Sequence, residues 1–232
     1  MLRQPGRRSG LQLDLVIFDC DGVVADSEVL SATVLIEQLA ALGIDVSPGY
    51  VRQYFLGRSF PTVAGLIRDR FRRPLPDDFE AQYRRRLLER YETELHPTPG
   101  LMPILSSLTV PVCIASSSSP PRVARTLQIL GLAGRFGGNV FTASQVARGK
   151  PAPDLFLFAA DSMGVPPSRA LVVEDSRPGI DAGLAAGMRV LHFTGGSHLR
   201  GAPDQVADVR SFDNWSEFPQ LLLDLEQGAE QP

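Results

Sequence analysis

Hydrophobic and polar positions fall into two kinds of run. Leu15-Val16-Ile17-Phe18 is short, uninterrupted and β-prone, and it stops at Asp19-Cys20-Asp21-Gly22. It reads as a buried strand with two carboxylates at its carboxyl end. Helical spacing follows over 27–42, closed by Gly43, and over 47–55, 60–71 and 77–95. In the last of these Phe79, Tyr83, Leu87, Tyr91 and Leu95 recur every four residues and form one apolar stripe. His96-Pro97-Thr98-Pro99-Gly100 breaks that helix and reads as a hinge or linker.

From Leu101 the pattern alternates. A helix over 101–108 leads to a strand at 110–115 and a helix over 121–130. A strand at 140–141, a helix over 154–163, a strand at 170–173, a helix over 178–186 and a strand at 189–193 come next. A short strand near 206–209 and a helix over 215–226 finish the chain. Such alternation specifies an α/β fold, a Rossmann-like parallel sheet covered on both faces. The helical block 29–96 interrupts it once, directly after the first strand. The expected organisation is therefore a core of 11–28 and 97–232, an inserted helical domain at 29–96, and a disordered 1–10.

Composition narrows the function classes. With 232 residues, 44% apolar and 21% charged, the chain suits one large domain or a domain with an insertion. A net charge of -3 and a pI near 5.6 provide no basic footprint, so no nucleic-acid partner is expected. No window has membrane-spanning length, so no membrane partner is expected either. The pair Arg7-Arg8 precedes an apolar stretch in the manner of a twin-arginine signal, but Asp14, Asp19 and Asp21 interrupt that stretch. A cytoplasmic monomer is the expectation. Cys20 and Cys113 make no disulfide framework, and Cys20 reads as a small apolar filler at the strand end. Of 23 basic residues only Lys150 is a lysine, within Gly149-Lys150-Pro151-Ala152-Pro153-Asp154. A chain so biased toward arginine retains lysine where a compact point charge is needed.

Three further features sit at strand ends or just after them. Ser116-Ser117-Ser118-Ser119 offers hydroxyls and N–H groups at a helix N-terminus, a ready anion site and equally a capped polar loop. Lys150 follows the next strand. Leu171-Val172-Val173-Glu174-Asp175-Ser176 repeats the first theme, a strand running into paired acids, although Asp175 or Ser176 could also cap a helix. Asp19 and Asp21 need a cation between them, or one must take a proton. Together these parts read as a phosphoryl-transfer site in which Asp19 and Asp175 hold Mg²⁺ through oxygen. The cation and Lys150 would balance charge on the phosphoryl group. With no Ser-His-Asp or Cys-His set, a carboxylate is the natural nucleophile. His96, His192 and His198 are given structural or surface roles.

The chain resembles the haloacid dehalogenase superfamily, in the branch with a helical cap inserted after the first motif. The residues that carry the resemblance are 19–28, Ala115-Ser116-Ser117, 150–154, Glu174-Asp175-Ser176 with Gly179-Ile180, and 185–188, in the family's order. The resemblance implies that Asp19 is the nucleophile that becomes an aspartyl phosphate. Asp21 would protonate the leaving oxygen, then activate water, and its backbone carbonyl would bind Mg²⁺. Ser116, Ser117 and Lys150 would hold the phosphate. Asp175 would ligate the metal, with Glu174 in its outer shell or joined to it through water. The cap would exclude water and recognise the substrate; Arg58 and Ser59, on a cap loop that should face the core, are candidates for substrate contact and read equally as an exposed turn with a helix N-cap at Ser59.

Within that superfamily the second aspartate favours phosphoryl chemistry over dehalogenation. The cap has no lysine for the Schiff base of a phosphonate-cleaving enzyme. The rival is a mutase similar to β-phosphoglucomutase, whose cap typically carries a histidine where Ser31 stands here. Its cap loop typically reads Gly-x-Ser-Arg with a later serine, where this chain has Gly57-Arg58-Ser59-Phe60 and Val63. The expectation is a Mg²⁺-dependent phosphatase acting on a small phosphorylated metabolite, foremost a sugar phosphate. The alternatives are the mutase and a non-catalytic ligand-binding module.

Overall fold

The central strand β1 (Leu15–Phe18) is buried along its whole length, as an apolar run with no alternation should be. The structure is a computed structural model that describes residues 12–55, 57–200 and 209–227. After β1 come four helices, α1 (Glu28–Ala40), α2 (Pro48–Tyr54), α3 (Phe60–Phe71) and α4 (Phe79–Glu94). The chain then runs through α5 (Leu101–Ser107), β2 (Val112–Ser116), α6 (Pro120–Ile129), α7 (Ala133–Phe136) and β3 (Val140–Thr142). It continues with α8 (Asp154–Ser162), β4 (Ala170–Glu174), α9 (Arg177–Ala185), β5 (Arg189–Phe193), β6 (Ser211–Phe212) and α10 (Phe218–Glu226).

The six described strands form one sheet in the order β3-β2-β1-β4-β5-β6, and every pairing is parallel. This is the Rossmann-type order, in which the chain leaves β1 to one side and later returns to the other. The crevice at the carboxyl ends of β1 and β4 is where such sheets bind ligands. Register brings the motifs to that edge. Phe18 lies level with Ile114 and with Val173, so Asp19 emerges beside Ala115 and Glu174.

Alternation along each strand sorts side chains into two layers. Val16, Phe18, Ile114 and Val173 face a cluster with Leu101, Phe136, Trp215 and Phe218. Leu15, Ile17, Cys113 and Val172 face Leu155, Phe156, Ala159 and Ile180 on the other side. The block α1–α4 has its own apolar cluster, built on the predicted stripe Phe79, Tyr83, Leu87, Tyr91 and Leu95.

Boundaries differ from the sequence reading at a few points. The second strand starts at Val112, because Pro111 has no N–H to give to the ladder. The four-residue helix α7 was not predicted; it is too short to show a period. The strand expected near 206–209 falls mainly outside the described residues, and the edge strand is Ser211–Phe212, paired with His192 and Phe193. The expected disordered 1–10 also lies outside them. No described helix is long and apolar enough to cross a membrane.

Candidate active site

Lys150 organises the centre. Its ammonium, buried to 1% side-chain exposure, donates to Asp19 Oδ1 at 2.6 Å, Glu174 Oε1 at 2.6 Å and the Ala115 carbonyl at 2.9 Å. Three donors therefore meet three acceptors from three different strand ends. Glu174 Oε2 accepts from Asp175 N, Ser176 N and Ser176 Oγ, which fixes this carboxylate on the turn into α9. Gly179 makes that packing possible, because a Cβ there would sit on the Glu174 carboxylate.

Asp175 completes a cluster. One carboxylate oxygen each from Asp19, Glu174 and Asp175 lies within 4.8 Å of the others. Asp19 and Glu174 share one ammonium, and the buried Asp175 beside them adds a third carboxyl to the cluster. Burial raises the Asp19 carboxyl well above its usual range; Lys150 opposes this, while Glu174 and Asp175 add to it. Burial, then Glu174, does the same to Asp175. On Lys150 burial works against the charged form, yet Asp19 and Glu174 outweigh it and hold the ammonium above its ordinary range. Asp175 Oδ2 is buried with no hydrogen-bond donor. His198 Nε2 lies 2.9 Å from it but is not angled to donate. Converging oxygens and an orphaned carboxylate oxygen fit a hard divalent cation.

Asp21 is held differently. Ser27 Oγ donates to its Oδ1 at 2.7 Å and Ser118 Oγ to its Oδ2 at 2.6 Å. Arg122 Nη2 donates to Oδ1 at 2.7 Å. Burial alone would raise this carboxyl, but Arg122 and the two serines overcome it and leave Asp21 below its ordinary range. Two aspartates two residues apart thus shift in opposite directions, Asp19 up chiefly through burial and Asp21 down through Arg122 and its two serines. The backbone just after Asp21 turns at Gly22, whose φ of +85° suits glycine and whose missing Cβ leaves room for the Asp175 carboxylate.

One cavity of about 470 Å³ is lined on the sheet side by Asp19, Asp21, Ser116, Ser117, Lys150 and Glu174. Ser116 Oγ accepts from Ser118 N at 3.0 Å, which shapes the serine loop. The helical block supplies the opposite wall, including Arg58 and Ser59. Their loop touches the sheet side directly: Ser117 Oγ donates to the Gly57 carbonyl at 3.2 Å, and a Cβ on Gly57 would lie 2.6 Å from Ser176 Cβ. Ser59 Oγ pairs with Thr62 Oγ1 rather than with the α3 backbone. Of the run 84–86, Arg84 pairs with Glu80 and reaches the cavity wall, and Arg86 pairs with Glu37.

Residues 13–187 match the haloacid dehalogenase-like hydrolase family. The chain belongs to this family. It is 28% identical to 6-phosphogluconate phosphatase of Escherichia coli (strain K12) over 211 residues, which span 90% of this chain and 95% of the relative. Among solved structures, a conserved haloacid dehalogenase-like protein of Agrobacterium tumefaciens superposes with a TM-score of 0.77 at 33% identity, covering 94% of this chain and all of the other. A HAD family hydrolase of Deinococcus radiodurans, solved with bound phosphate and sodium, gives 0.71 at 31% identity, covering 94% and 98%. The protein is accordingly an enzyme, a hydrolase of the haloacid dehalogenase-like family.

Two residues of this hydrolase escaped the sequence reading. Arg122 looks like any solvent arginine on α6, and only the fold brings it to Asp21. His198 was given a structural or surface role, yet it is buried against Asp175 and above Gly22. Ser197 anchors its loop by donating through N and Oγ to Asp26 Oδ1 at 2.9 and 2.7 Å. Asp26 was part of the first motif, but nothing in the local sequence says that a turn some 170 residues later reads it. Cys20 is buried, in keeping with a filler.

Proposed function

We propose that this protein is a Mg²⁺-dependent phosphomonoesterase that acts on a small phosphorylated metabolite, foremost a sugar phosphate, through an aspartyl-phosphate intermediate. The observation that carries the reading is the single buried ammonium of Lys150 shared by Asp19 and Glu174, with Asp175 adjacent. Such a site suits a phosphoryl group, which brings negative charge, only when a cation accompanies it.

In this reading Asp19, Asp175 and the Asp21 backbone carbonyl would hold Mg²⁺, with Glu174 outside them. When bound, the metal would offset negative charge on the transferring group. Asp19 attacks phosphorus, and the bond from phosphorus to the leaving oxygen breaks as Asp21 supplies that oxygen's proton. Asp21 then takes a proton from water, whose oxygen attacks phosphorus and frees Asp19. Lys150, Ser116 and Ser117 orient the phosphate. Tied to three donors, Asp21 stands in its base-ready form, so the proton it gives to the leaving oxygen would enter with a substrate bound as its monoanion. The core is assigned to 11–28 and 97–232 and the cap to 29–96, which carries Arg58 and Ser59 to the substrate and keeps water out. The similarity to 6-phosphogluconate phosphatase supports a sugar-phosphate substrate. Ser31, which stands where the mutase branch typically has histidine, is already engaged with Arg122 at 2.9 Å, and this supports hydrolysis over mutation.

The test is a panel of phosphorylated metabolites assayed with and without Mg²⁺ for phosphate release and for isomerisation. Metal-dependent release that disappears in Asp19→Asn is expected. Interconversion of β-glucose 1-phosphate and glucose 6-phosphate with little release would replace the reading with a mutase, and neither activity would leave a binding module.

A further inference from the structure

Arg122 stands on α6, in the core, and its Nη2 shares its two hydrogens among three acceptors. These are Asp21 Oδ1 at 2.7 Å, Ser31 Oγ at 2.9 Å and Tyr91 Oη at 2.8 Å. Asp21 belongs to the core, whereas Ser31 is on α1 and Tyr91 on α4, both in the inserted helical block. The guanidinium also lies over the Tyr91 ring, 5.7 Å from its centroid, a distance at which a cation and a ring attract. Its side chain is 16% exposed, its Nε has no partner, and it lines the cavity. No other residue described here joins a proposed reacting carboxylate to two helices of the block through one nitrogen.

We infer that Arg122 is a positioning residue that ties cap helices α1 and α4 to the acid–base carboxylate Asp21, so that Asp21 is held in register with Asp19 only while the cap is seated. This rests on the phosphatase reading for its kinetic consequence, but the tie itself is a matter of geometry. A planar guanidinium holds several acceptors in fixed directions, which a lysine ammonium reproduces only in part. With the cap displaced, Ser31 and Tyr91 leave, and Arg122 loses two of the three groups that aim it. Positioning of a proton-transfer group in this way affects the transition state more than substrate binding.

The experiment compares wild type, Arg122→Met, Arg122→Lys and the double variant Ser31→Ala/Tyr91→Phe, the last of which leaves the Arg122–Asp21 pair in place. Hydrogen exchange on metal-free protein is expected to be at least about 5-fold faster over 28–40 and 79–94 in Arg122→Met and in the double variant, with β1 and β4 unchanged. With Mg²⁺ and a phosphomonoester that wild type hydrolyses, kcat should fall about 100-fold in Arg122→Met with KM within about 3-fold. Arg122→Lys should recover about 10-fold of that loss, and the double variant should lose about 10-fold. Unchanged exchange in both variants overturns the tie. A double variant with full kcat beside an impaired Arg122→Met overturns the coupling to the cap. If wild type hydrolyses no phosphomonoester at all, the phosphatase reading fails, and exchange alone decides whether Arg122 makes the tie.

Discussion

Replacing Lys150 by methionine keeps the length and apolar stem of the side chain and removes only its charge and three donors. Glu174 is fully buried and Asp19 is 10% exposed at the side chain, so neither recovers water when the ammonium goes. Glu174 Oε1 and the Ala115 carbonyl each lose a donor as well. Breaking a buried pair from one side costs about 3–5 kcal/mol, because an uncompensated charge is left behind. For a chain of this size each kcal/mol moves Tm by about 2–4 °C, so metal-free Lys150→Met should melt about 6–20 °C below wild type. The pH dependence has a definite sign. Burial already raises the folded pKa of Asp19, and without the ammonium that opposes this it stands further above its unfolded value, so the folded state binds more protons than the unfolded state in between. The deficit is therefore small at low pH and grows as pH rises through the folded values. Thermal unfolding in chelator at about pH 5 and about pH 8 measures both effects. A variant within about 2 °C of wild type at the higher pH, or a deficit that does not shrink at the lower one, would refute the reasoning. Lys150→Arg should not rescue, since a longer, planar cation cannot place its donors on three acceptors that converge within 2.6–2.9 Å of one point.

Other outcomes follow from the same geometry. Gly22→Ala forces a side chain into a φ of +85° and onto the Asp175 carboxylate, so both Tm and the Mg²⁺-induced rise in Tm should drop; an unaltered metal response in calorimetry would count against the cluster. Asp175→Asn should abolish that metal response while the metal-free protein becomes no less stable, because a buried charge has been removed; this is read by the same titration. Glu28, half-buried on the cavity wall, is pushed up to about 8 by burial and by Asp21. With an ordinary value of 4.5 in the unfolded chain, it makes stability fall as pH rises from there through about 8. Glu28→Gln should flatten that part of the stability–pH curve, and an unchanged slope in denaturant melts would exclude the assignment. Thr98 Oγ1 accepts from Trp215 Nε1 at 2.9 Å and donates to the Val23 carbonyl at 2.5 Å, which pins the first motif to the end of the chain. Thr98→Val should cost about 1–3 kcal/mol by leaving two buried groups unpaired, and denaturant unfolding would show whether it does.

Legibility differed from group to group for physical reasons. The strand-end motifs could be read because each couples a local signal, an apolar run, to an abrupt chemical change, as at Phe18–Asp19 and Val173–Glu174. The lone lysine stood out by composition, and its burial among three acceptors gives that bias a cause. Arg122 carries no such mark. It is one of many arginines, on a helix whose amphipathic pattern assigns it to the polar side, and its role depends on where α1 and α4 pack. His198 was unreadable for a related reason, since its loop is defined by Asp26 from the other end of the chain.

By itself the amino-acid order determined most of the strands and helices, though not the short α7 or the place of the edge strand, and also that the strands run parallel and which oxygens and ammonium reach the carboxyl edge. Those outcomes depend on local periodicity and on the short reach of connections. Only the tertiary structure decided how the four motifs share charge. Asp19 and Asp21 look equivalent in the chain, yet packing gives one a lysine within a crowd of carboxylates and the other an arginine and two serines. Electrostatic environment is a sum over neighbours distant in sequence, and no local pattern encodes it.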